Sequence, residues 1–368
     1  MKLCFLVNAD SIHSYRWIKY FAERGHEVYW ISIAPNSFDE IKGVNFYLLR
    51  NFSCKLLNII FNISSFKKIL RKINPDILHV HYAGVNGVLG ALSRFYPFVL
   101  TAWGSDVLVA SKSRIVRPLV KIALKGADLI TCDAEHMKNA MIKLGADSSK
   151  IRIIYFGIDT EKFKPGPRNE NLITKLELRN YPIIISLRSL EPIYNLETLI
   201  KAVPLVLKEC SETKFIIAGK GSEEDRLKKI VKGLKIEDSV RFVGFVPNTE
   251  LISYLRTSDI YVSTALSDAG LSASTAEAMA CGLPVVITNS GENSKWVNDG
   301  ENGFIIPVKN AVSLAEKIIF LLKNKNVGKK MGEKARRTIE EKNNYYVEMA
   351  KMEQIYWSIL KLLTLNSY

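Results

Sequence analysis

The chain has 368 residues and a net charge of +14, and this length exceeds what one hydrophobic core usually supports, so two domains are expected. A hydrophobic content of 48% excludes a disordered chain, and no apolar run approaches the roughly 18 residues of a membrane-spanning helix. The cysteines are scattered, odd in number and without metal-type spacing, which favours reduced thiols in a cytoplasm over a disulfide framework.

The first half predicts strands that alternate with helices. Its first apolar run starts near the N-terminus and soon meets Asp10, so it is expected to be a strand and not a signal peptide. Continuous apolar strands separated by amphipathic helices, such as the one that ends at Gly25, indicate a parallel sheet covered on both faces. The strand candidates are "KLCFLV", "EVYWISI", "ILHVHY", "FVLTAW", "LITCD" and "IRIIYF".

The positive charge is concentrated in this half. Residues 1–165 carry 23 lysines and arginines against 13 acidic residues, a net +10, which suits an anionic partner or merely keeps the protein soluble. Residues 52–73, "FSCKLLNIIFNISSFKKILRKI", combine apolar residues with Lys55, Lys67, Lys68, Arg71 and Lys72. They predict either an interfacial helix on anionic lipid or a helix that packs on the sheet with a solvated basic face.

The second half repeats the pattern after a linker-like segment, "DTEKFKPGPRNEN". Its strand candidates are "PIIISLRS", "KFIIAGKG", "VRFVGFV", "IYVSTAL", "PVVITNS" and "GFIIPV". We therefore predict two α/β domains with doubly wound parallel sheets, residues 1–165 and 166–344, whose strand ends face a cleft between them. A final amphipathic helix, residues 345–368, is expected to join the first domain or to pack on its own domain.

Several strings, co-linear over most of the chain, are similar to glycosyltransferase family 4, whose members have the GT-B fold of two Rossmann-like domains. The donor-domain strings are "FIIAGKGSEEDRLKKIV", "VRFVGFVPNTELISYLRTSDIYVST", "EAMACGLPVV" and "VNDGENGFIIP". The acceptor-domain strings are "NADSIHSYRWIKYFAERGHEV", "PDILHVHY" and "LTAWGSDVL". The resemblance implies that the C-terminal helix crosses back onto the first domain. It also implies retaining transfer of a sugar from a UDP- or GDP-sugar to a hydroxyl acceptor, without a cofactor or a metal site.

Glu277 matches the second of two glutamates that the family spaces eight positions apart, and the resemblance implies that it accepts hydrogen bonds from the ribose hydroxyls. Two carboxylate oxygens suit a vicinal diol. The preceding Gly270, Leu271, Ser272 and Ala273 would offer backbone N–H groups to a diphosphate at a helix start. The alternative is an ordinary helix start, with Ser274 or Thr275 as N-cap and Glu277 as a first-turn charge.

Two positions depart from the family pattern in the donor domain. The first glutamate of the pair falls on Ala269, with Asp268 one residue earlier, so either Asp268 replaces it or sugar recognition differs. Arg188 matches an arginine that binds the diphosphate, a task suited to its planar, permanently charged fork. The partner lysine falls near Tyr194, and Lys220 is a weak candidate to replace it.

Three glycines and their neighbours complete the predicted donor site. Gly219 and Gly221 in "IAGKGSEE" suit either a phosphate loop or a tight turn. Gly244, Phe245 and Val246 lie in the segment that matches the family's nucleobase loop, in which backbone groups and one flat side chain hold the base.

The acceptor site is predicted in the first half. His13 stands where the family has a flexible glycine turn and suits hydrogen bonding to a phosphate or an acceptor hydroxyl, or it merely begins a helix. Trp103 departs from the family pattern, because relatives often have a histidine at this position. It is expected to stack on a sugar, and Asp106 is expected to orient an acceptor hydroxyl. We expect His79 and His81 to lie on opposite faces of their strand, with His79 in the core and His81 at the cleft.

The combined prediction is a glycosyltransferase of cell-surface polysaccharide, glycolipid or protein-glycan synthesis, which acts in the cytoplasm or at the inner face of the plasma membrane. The expected partners are a nucleotide sugar, a hydroxyl acceptor that is lipid-linked in several relatives, and an anionic membrane surface, but no nucleic acid. A sugar-nucleotide epimerase and a weakened relative that only binds nucleotide or glycan are the alternatives.

Overall fold

The computed structural model describes residues 1–268 and 270–365 and divides the chain into two compact units. The first comprises Met1–Tyr155 and the C-terminal helix from Val347, and the second comprises Phe156–Tyr346. The Pro- and Gly-rich segment that suggested a boundary at residue 165 belongs to the second unit. Phe163 is buried in that unit's core, and Arg256 Nε donates to the Lys164 carbonyl at 2.9 Å. The boundary therefore lies earlier than composition predicted.

The first unit is a seven-stranded parallel sheet with helices between its strands, in the order β3-β2-β1-β4-β5-β6-β7. Chain order runs outward from β1 on one side and from β4 on the other, which is the doubly wound arrangement predicted from the sequence. Its elements are β1 Lys2–Leu6, α1 Ile12–Glu23, β2 Glu27–Ser32, β3 Val44–Leu48, α2 Lys55–Ile73, β4 Ile77–His81, α3 Val85–Ser93, β5 Phe98–Thr101, α4 Val116–Gly126, β6 Leu129–Cys132, α5 Glu135–Lys143 and β7 Ile151–Ile153.

The second unit has a six-stranded parallel sheet in the order β10-β9-β8-β11-β12-β13. Its elements are α6 Glu170–Lys175, β8 Ile183–Leu187, α7 Leu196–Glu209, β9 Lys214–Ala218, α8 Glu224–Gly233, β10 Val240–Gly244, α9 Leu251–Thr257, β11 Ile260–Ser263, α10 Ala273–Ala280, β12 Val285–Thr288, α11 Asn293–Trp296, β13 Phe304–Ile306, α12 Ala311–Lys323 and α13 Lys325–Lys342. Alternate strand residues feed two separate cores: Ile184 belongs to one, and Ile183 and Ile185 belong to the other. Both sheet faces are therefore covered by helices, which explains why these strands read as unbroken apolar runs.

The last helix, α14 (Tyr345–Leu365), packs on the first unit from Val347 onward. Met352 and Tyr356 are fully buried, and the Tyr356 hydroxyl is hydrogen-bonded to His79 Nδ1. Glu353 accepts a hydrogen bond from Arg24 Nε at 3.2 Å and pairs with His26 Nε2 at 2.8 Å. None of the described helices is long and apolar enough to cross a membrane.

Candidate functional site

The strand order of the second sheet runs outward from β8 to β10 on one side and from β11 to β13 on the other, and the loops that follow the parallel neighbours β8 and β11 meet there, at what we call the reversal point of the sheet. Ligands of open α/β sheets bind at such a point, outside the carboxyl ends of the strands. Arg188 directly follows β8, and Asp268 lies in the loop after β11. Two of the positions singled out in the sequence are therefore brought together by topology.

Arg188 is held from two sides. Its Nη2 donates to Asp268 Oδ1 at 2.5 Å, and its guanidinium carbon lies 4.3 Å from the centre of the Tyr194 ring. The two side chains of the ion pair are only 7% and 6% exposed. Burial acts to lower the pKa of Arg188, but Asp268 offsets this and the pKa lies above its usual value. Arg188 is thus a permanent, positioned cation at the reversal point.

The loops that carry Arg188 and Asp268 are also joined through their backbones. The Leu266 N–H donates to the Ile193 carbonyl at 2.8 Å, and Thr264 Oγ1 donates to the Tyr194 carbonyl at 3.0 Å. Tyr194, which stands where the family has a lysine, therefore supports the arginine and contributes no second cation. The replacement of the family's lysine by Tyr194 therefore fixes the position of Arg188.

The two carboxylate oxygens of Asp268 differ in their hydrogen bonding. Its Oδ2 is buried and has no hydrogen-bond partner among the described residues, whereas Oδ1 pairs with Arg188. Burial raises the pKa of Asp268, whereas Arg188 and, to a smaller extent, the nearby Asn293 side chain act to lower it. Ala269 itself lies outside the described residues. An unpaired buried carboxylate oxygen is costly to retain, which is typical of a group that binds a ligand.

Glycines pack directly against the backbone of this pair. A Cβ on Gly219, where φ is +147°, would lie 2.2 Å from the Arg188 carbonyl oxygen, and one on Gly291 would lie 2.1 Å from the Asp268 carbonyl oxygen. The Gly219 N–H donates to the Gly244 carbonyl at 2.8 Å. Its N–H is therefore not available to a phosphate, and of the two readings of this glycine the tight turn is the one the structure supports.

The helix that carries Glu277, α10, begins before the position that the alternative interpretation of this segment predicted. Ser272 is the N-cap of α10, and its side chain accepts from the Thr275 N–H at 3.4 Å. Ser274 pairs with the buried Tyr261 hydroxyl at 2.9 Å and does not cap the helix. Glu277 is half-buried and is not a first-turn residue, because the helix starts at Ala273. The alternative with Ser274 or Thr275 as N-cap is wrong.

The segment after β10 presents an aromatic ring to solvent. Phe245 is 68% exposed, whereas Val246 is half-buried and packs against the core. Gly244 has a φ of +72°, which favours glycine, and a Cβ there would lie 3.6 Å from the Lys220 Cε. A flat exposed ring on a short turn suits stacking on a nucleobase.

In the first unit, three of the predicted acceptor residues line one cavity of about 340 Å³ at the reversal point between β1 and β4. The His13 and Trp103 rings are stacked, with centroids 5.2 Å apart, and His81 meets Trp103 edge-on at 5.4 Å. These residues come from α1, from β4 and from the loop after β5, so the fold alone brings them together.

Both histidines of this cavity are neutral at neutral pH. Burial lowers the pKa of His81 to about 3, with a further contribution from His13, and burial together with Arg16 lowers the pKa of His13 to about 4. His81 is 3% exposed, and neither of its ring nitrogens has a hydrogen-bond partner among the described residues. A neutral imidazole offers one donor and one acceptor, which matches a hydroxyl group.

The expectation that His79 and His81 face opposite ways is wrong. Residues two apart on a strand share a face, and the centroids of the two rings lie 4.7 Å apart. His79 is satisfied on both sides, by Tyr356 and by Thr101 Oγ1 at 2.6 Å, so it is a core residue as predicted. Only His81 reaches the cavity.

The role predicted for Asp106 does not fit its surroundings. Asp106 is fully buried, and its oxygens accept backbone N–H groups of Ala83 at 2.8 Å, Val107 at 3.0 Å and Trp103 at 3.1 Å. Burial raises the pKa of this carboxyl, while the backbone hydrogen bonds act to lower it. Asp106 therefore fixes the loop that presents Trp103, and its carboxylate is already occupied by backbone N–H groups.

Sequence reasoning missed Tyr82. This residue directly follows β4, has a φ of +80° and is 39% exposed, and its hydroxyl pairs with Ser105 Oγ at 3.2 Å. A positive φ is unfavourable for an aromatic residue, and such strain clusters at functional sites. Its position at the carboxyl end of the strand was the available signal. Among the residues that the structure describes, no group of three histidines, cysteines and carboxylates could hold a metal ion.

Comparison with known families matches both units. Residues 168–338 match the model of "Glycosyl transferases group 1", and residues 2–134 match that of "Glycosyl transferase 4-like". The two matches together span most of the chain.

Named relatives and solved structures agree with these matches. N-acetyl-alpha-D-glucosaminyl L-malate synthase of Bacillus anthracis is 25% identical over 93% of this chain and 92% of its own length. A GDP-mannose-dependent phosphatidylinositol monomannoside mannosyltransferase of Mycobacterium tuberculosis is 23% identical over 67% of this chain and 68% of its own. The Anabaena protein HepE in complex with UDP superposes with a TM-score of 0.83 at 18% identity, over 97% of this chain and all of HepE. The last comparison shows the GT-B fold.

Proposed function

The chain belongs to the group 1 glycosyl transferases, and we propose from this that it moves a sugar from a UDP- or GDP-sugar to a hydroxyl acceptor with retention at the anomeric carbon. The observation that carries the proposal is Arg188, buried and oriented beside the loop that leads into α10. Solved relatives hold UDP or UDP-glucose, and others are named for GDP-mannose, so the base stays open between the two.

Arg188 would stabilise the departing diphosphate. As the bond between the anomeric carbon and the phosphate oxygen breaks, negative charge grows on that oxygen, and a fixed guanidinium gains more there than in the ground state. The acceptor oxygen bonds to the anomeric carbon on the same face, and its proton passes to a donor phosphate oxygen. The backbone N–H groups of Gly270 to Ala273 would support the phosphates at the start of α10.

The remaining donor contacts follow from exposure and chemistry. Glu277 would accept the ribose hydroxyls, and Phe245 would stack on the base with the backbone of Gly244 and Val246. Asp268 would take the place of the missing first glutamate, because its buried Oδ2 is unpaired and oriented by the Arg188 contact on Oδ1. In this account no cofactor and no metal ion takes part in the transfer.

The cavity of the first unit would bind the acceptor. Trp103 offers an aromatic face, and the neutral His13 and His81 offer donors and acceptors to hydroxyl groups. His13 would also donate to a donor phosphate or to the acceptor hydroxyl during transfer.

A membrane surface is the proposed partner of α2, and it would place the enzyme at the inner face of the plasma membrane. One side of this helix is buried, at Phe66 and Leu70 among others. Its N-terminal half also exposes a second apolar face, and the basic residues that follow suit anionic headgroups. This face consists of Leu56, Leu57, Ile60 and Phe61, each at least 40% exposed.

The test is incubation of the purified chain with labelled UDP- and GDP-sugars and a panel of glycan and lipid-linked acceptors. If the chain transfers the sugar, a new glycoside forms, and its NMR spectrum shows the same anomeric configuration as the donor. An epimerase would change the nucleotide sugar without an acceptor. A weakened relative, suggested by the departures at Ala269, Tyr194 and Trp103, would bind nucleotide or glycan and form no product.

A further inference from the structure

The first unit contains a second cavity, of about 280 Å³, beside the one that holds His13, His81 and Trp103. The two cavities share four lining residues, which are Asn8, Asp10, Tyr82 and Asn86. Tyr82 lies on their common wall, and Asn86 Nδ2 donates to Asn8 Oδ1 there at 3.3 Å. The two cavities are therefore adjacent, with the strained Tyr82 between them.

The second cavity differs from the first in chemistry. Its side away from the shared wall is lined largely by half-buried aliphatic residues, which leave apolar surface open to the cavity. These residues are Ile33, Ala34, Val85, Ala110, Val116 and Leu119.

Charge is scarce around this cavity. Lys55 is the one cation among its lining residues, the Asp106 carboxylate is already satisfied by backbone N–H groups, and the other carboxylate, Asp10, lies on the wall shared with the first cavity. A phosphate or a dicarboxylate would find too few cations there to offset its loss of hydration, whereas an alkyl chain would gain free energy by leaving water.

We infer that the two cavities form one amphipathic acceptor site, in which the sugar or polar head of the acceptor lies beside Trp103 and its apolar tail lies in the aliphatic cavity. The inference rests on the proposed function, and it narrows the acceptor to a molecule with an alkyl, isoprenoid or similar apolar substituent. Small polar acceptors use the first cavity alone and bind weakly.

The structure offers a matched pair of variants at the start of α4. Val116 is the first helical residue and lines the aliphatic cavity, whereas Ile115 precedes it, is 83% exposed and does not line the cavity. Aspartate suits both positions, because carboxylates are favourable at a helix N-terminus. Val116→Asp therefore places a charge in the cavity without harming the helix, and Ile115→Asp is its control.

The experiment is isothermal titration of the full chain with methyl and n-octyl β-D-glucopyranoside, below the micelle concentration and without vesicles. We expect the octyl glycoside to bind about tenfold or more tightly than the methyl glycoside. Val116→Asp should remove this difference, and Ile115→Asp should keep it. Equal affinity for the two glycosides, no binding of the octyl glycoside, or an unchanged preference in Val116→Asp would overturn the inference.

A second titration of the same samples with UDP and GDP distinguishes failure of the amphipathic acceptor site from failure of the proposed function. Nucleotide binding without a preference for the octyl chain leaves the proposed function standing and removes the amphipathic site. Binding of the octyl glycoside at the first unit without nucleotide binding leaves the amphipathic site standing and contradicts the proposed function.

Discussion

Replacing Arg188 with lysine keeps the positive charge but removes the planar guanidinium group. Lysine lacks the planar fork that reaches Asp268 while leaving other N–H groups for a ligand, and it loses the stacking on Tyr194 at 4.3 Å. A hydrogen bond to a charged group is worth about 1.5–3 kcal/mol, and about 1.4 kcal/mol corresponds to a tenfold change in rate. We therefore expect kcat to fall by about ten- to a hundred-fold.

The fall should appear in turnover more than in substrate binding, because charge on the leaving group grows in the transition state. Steady-state kinetics with a saturating acceptor measures both quantities. Arg168→Lys is the matched control, since Arg168 also pairs with an aspartate, Asp259, in the same unit but is 37% exposed. A normal kcat with only a raised KM in Arg188→Lys, or an equal loss in the control, would refute the role of Arg188.

Three further predictions concern binding, stability and the membrane. Glu277→Ala should weaken nucleotide affinity by about ten- to a hundred-fold in a folded protein, and unchanged affinities for both UDP and GDP by titration calorimetry would remove the ribose role. His81 has a folded pKa of about 3, below its unfolded value, so the unfolded chain binds more protons and wild-type stability should fall as the pH drops from about 6.5 to 4, by up to about 1.4 kcal/mol per pH unit for this residue. Urea unfolding at several pH values should show a shallower fall in His81→Gln, and an unchanged slope would contradict the assignment. Sedimentation should show salt-sensitive binding to anionic vesicles but not to neutral ones, and no pelleting at low salt would exclude the membrane surface. Binding should be lost, with nucleotide binding kept, when glutamate replaces Lys67, Lys68, Arg71 and Lys72.

The fold was predictable because its signals are local. The unbroken apolar strands and the helices between them indicated two doubly wound sheets, and Gly25 ends the turn after α1 with a φ of +80° as its position suggested. The carboxyl ends of β8 and β11 then had to meet, so Arg188 and the loop before α10 could be placed near each other.

The details of the site were not predictable, because they depend on contacts between distant parts of the chain. Arg188 and Asp268 are 80 positions apart, and only the structure shows that they pair and that Tyr194 supports the arginine. Asp106 was expected to orient an acceptor, but its partners are backbone N–H groups that no pattern reveals. The error on His79 and His81 was avoidable, since the period of a strand already puts them on one face.

The central claim is that the reversal point of the second sheet binds the nucleoside diphosphate of a sugar donor. Isothermal titration of the full chain with UDP and with GDP tests it most directly, with Glu277→Ala and Arg188→Lys measured alongside. We predict binding of at least one nucleotide at a single site, weakened about ten- to a hundred-fold in Glu277→Ala and less in Arg188→Lys. Failure of both nucleotides to bind, or binding that is unchanged in both variants, would contradict the claim.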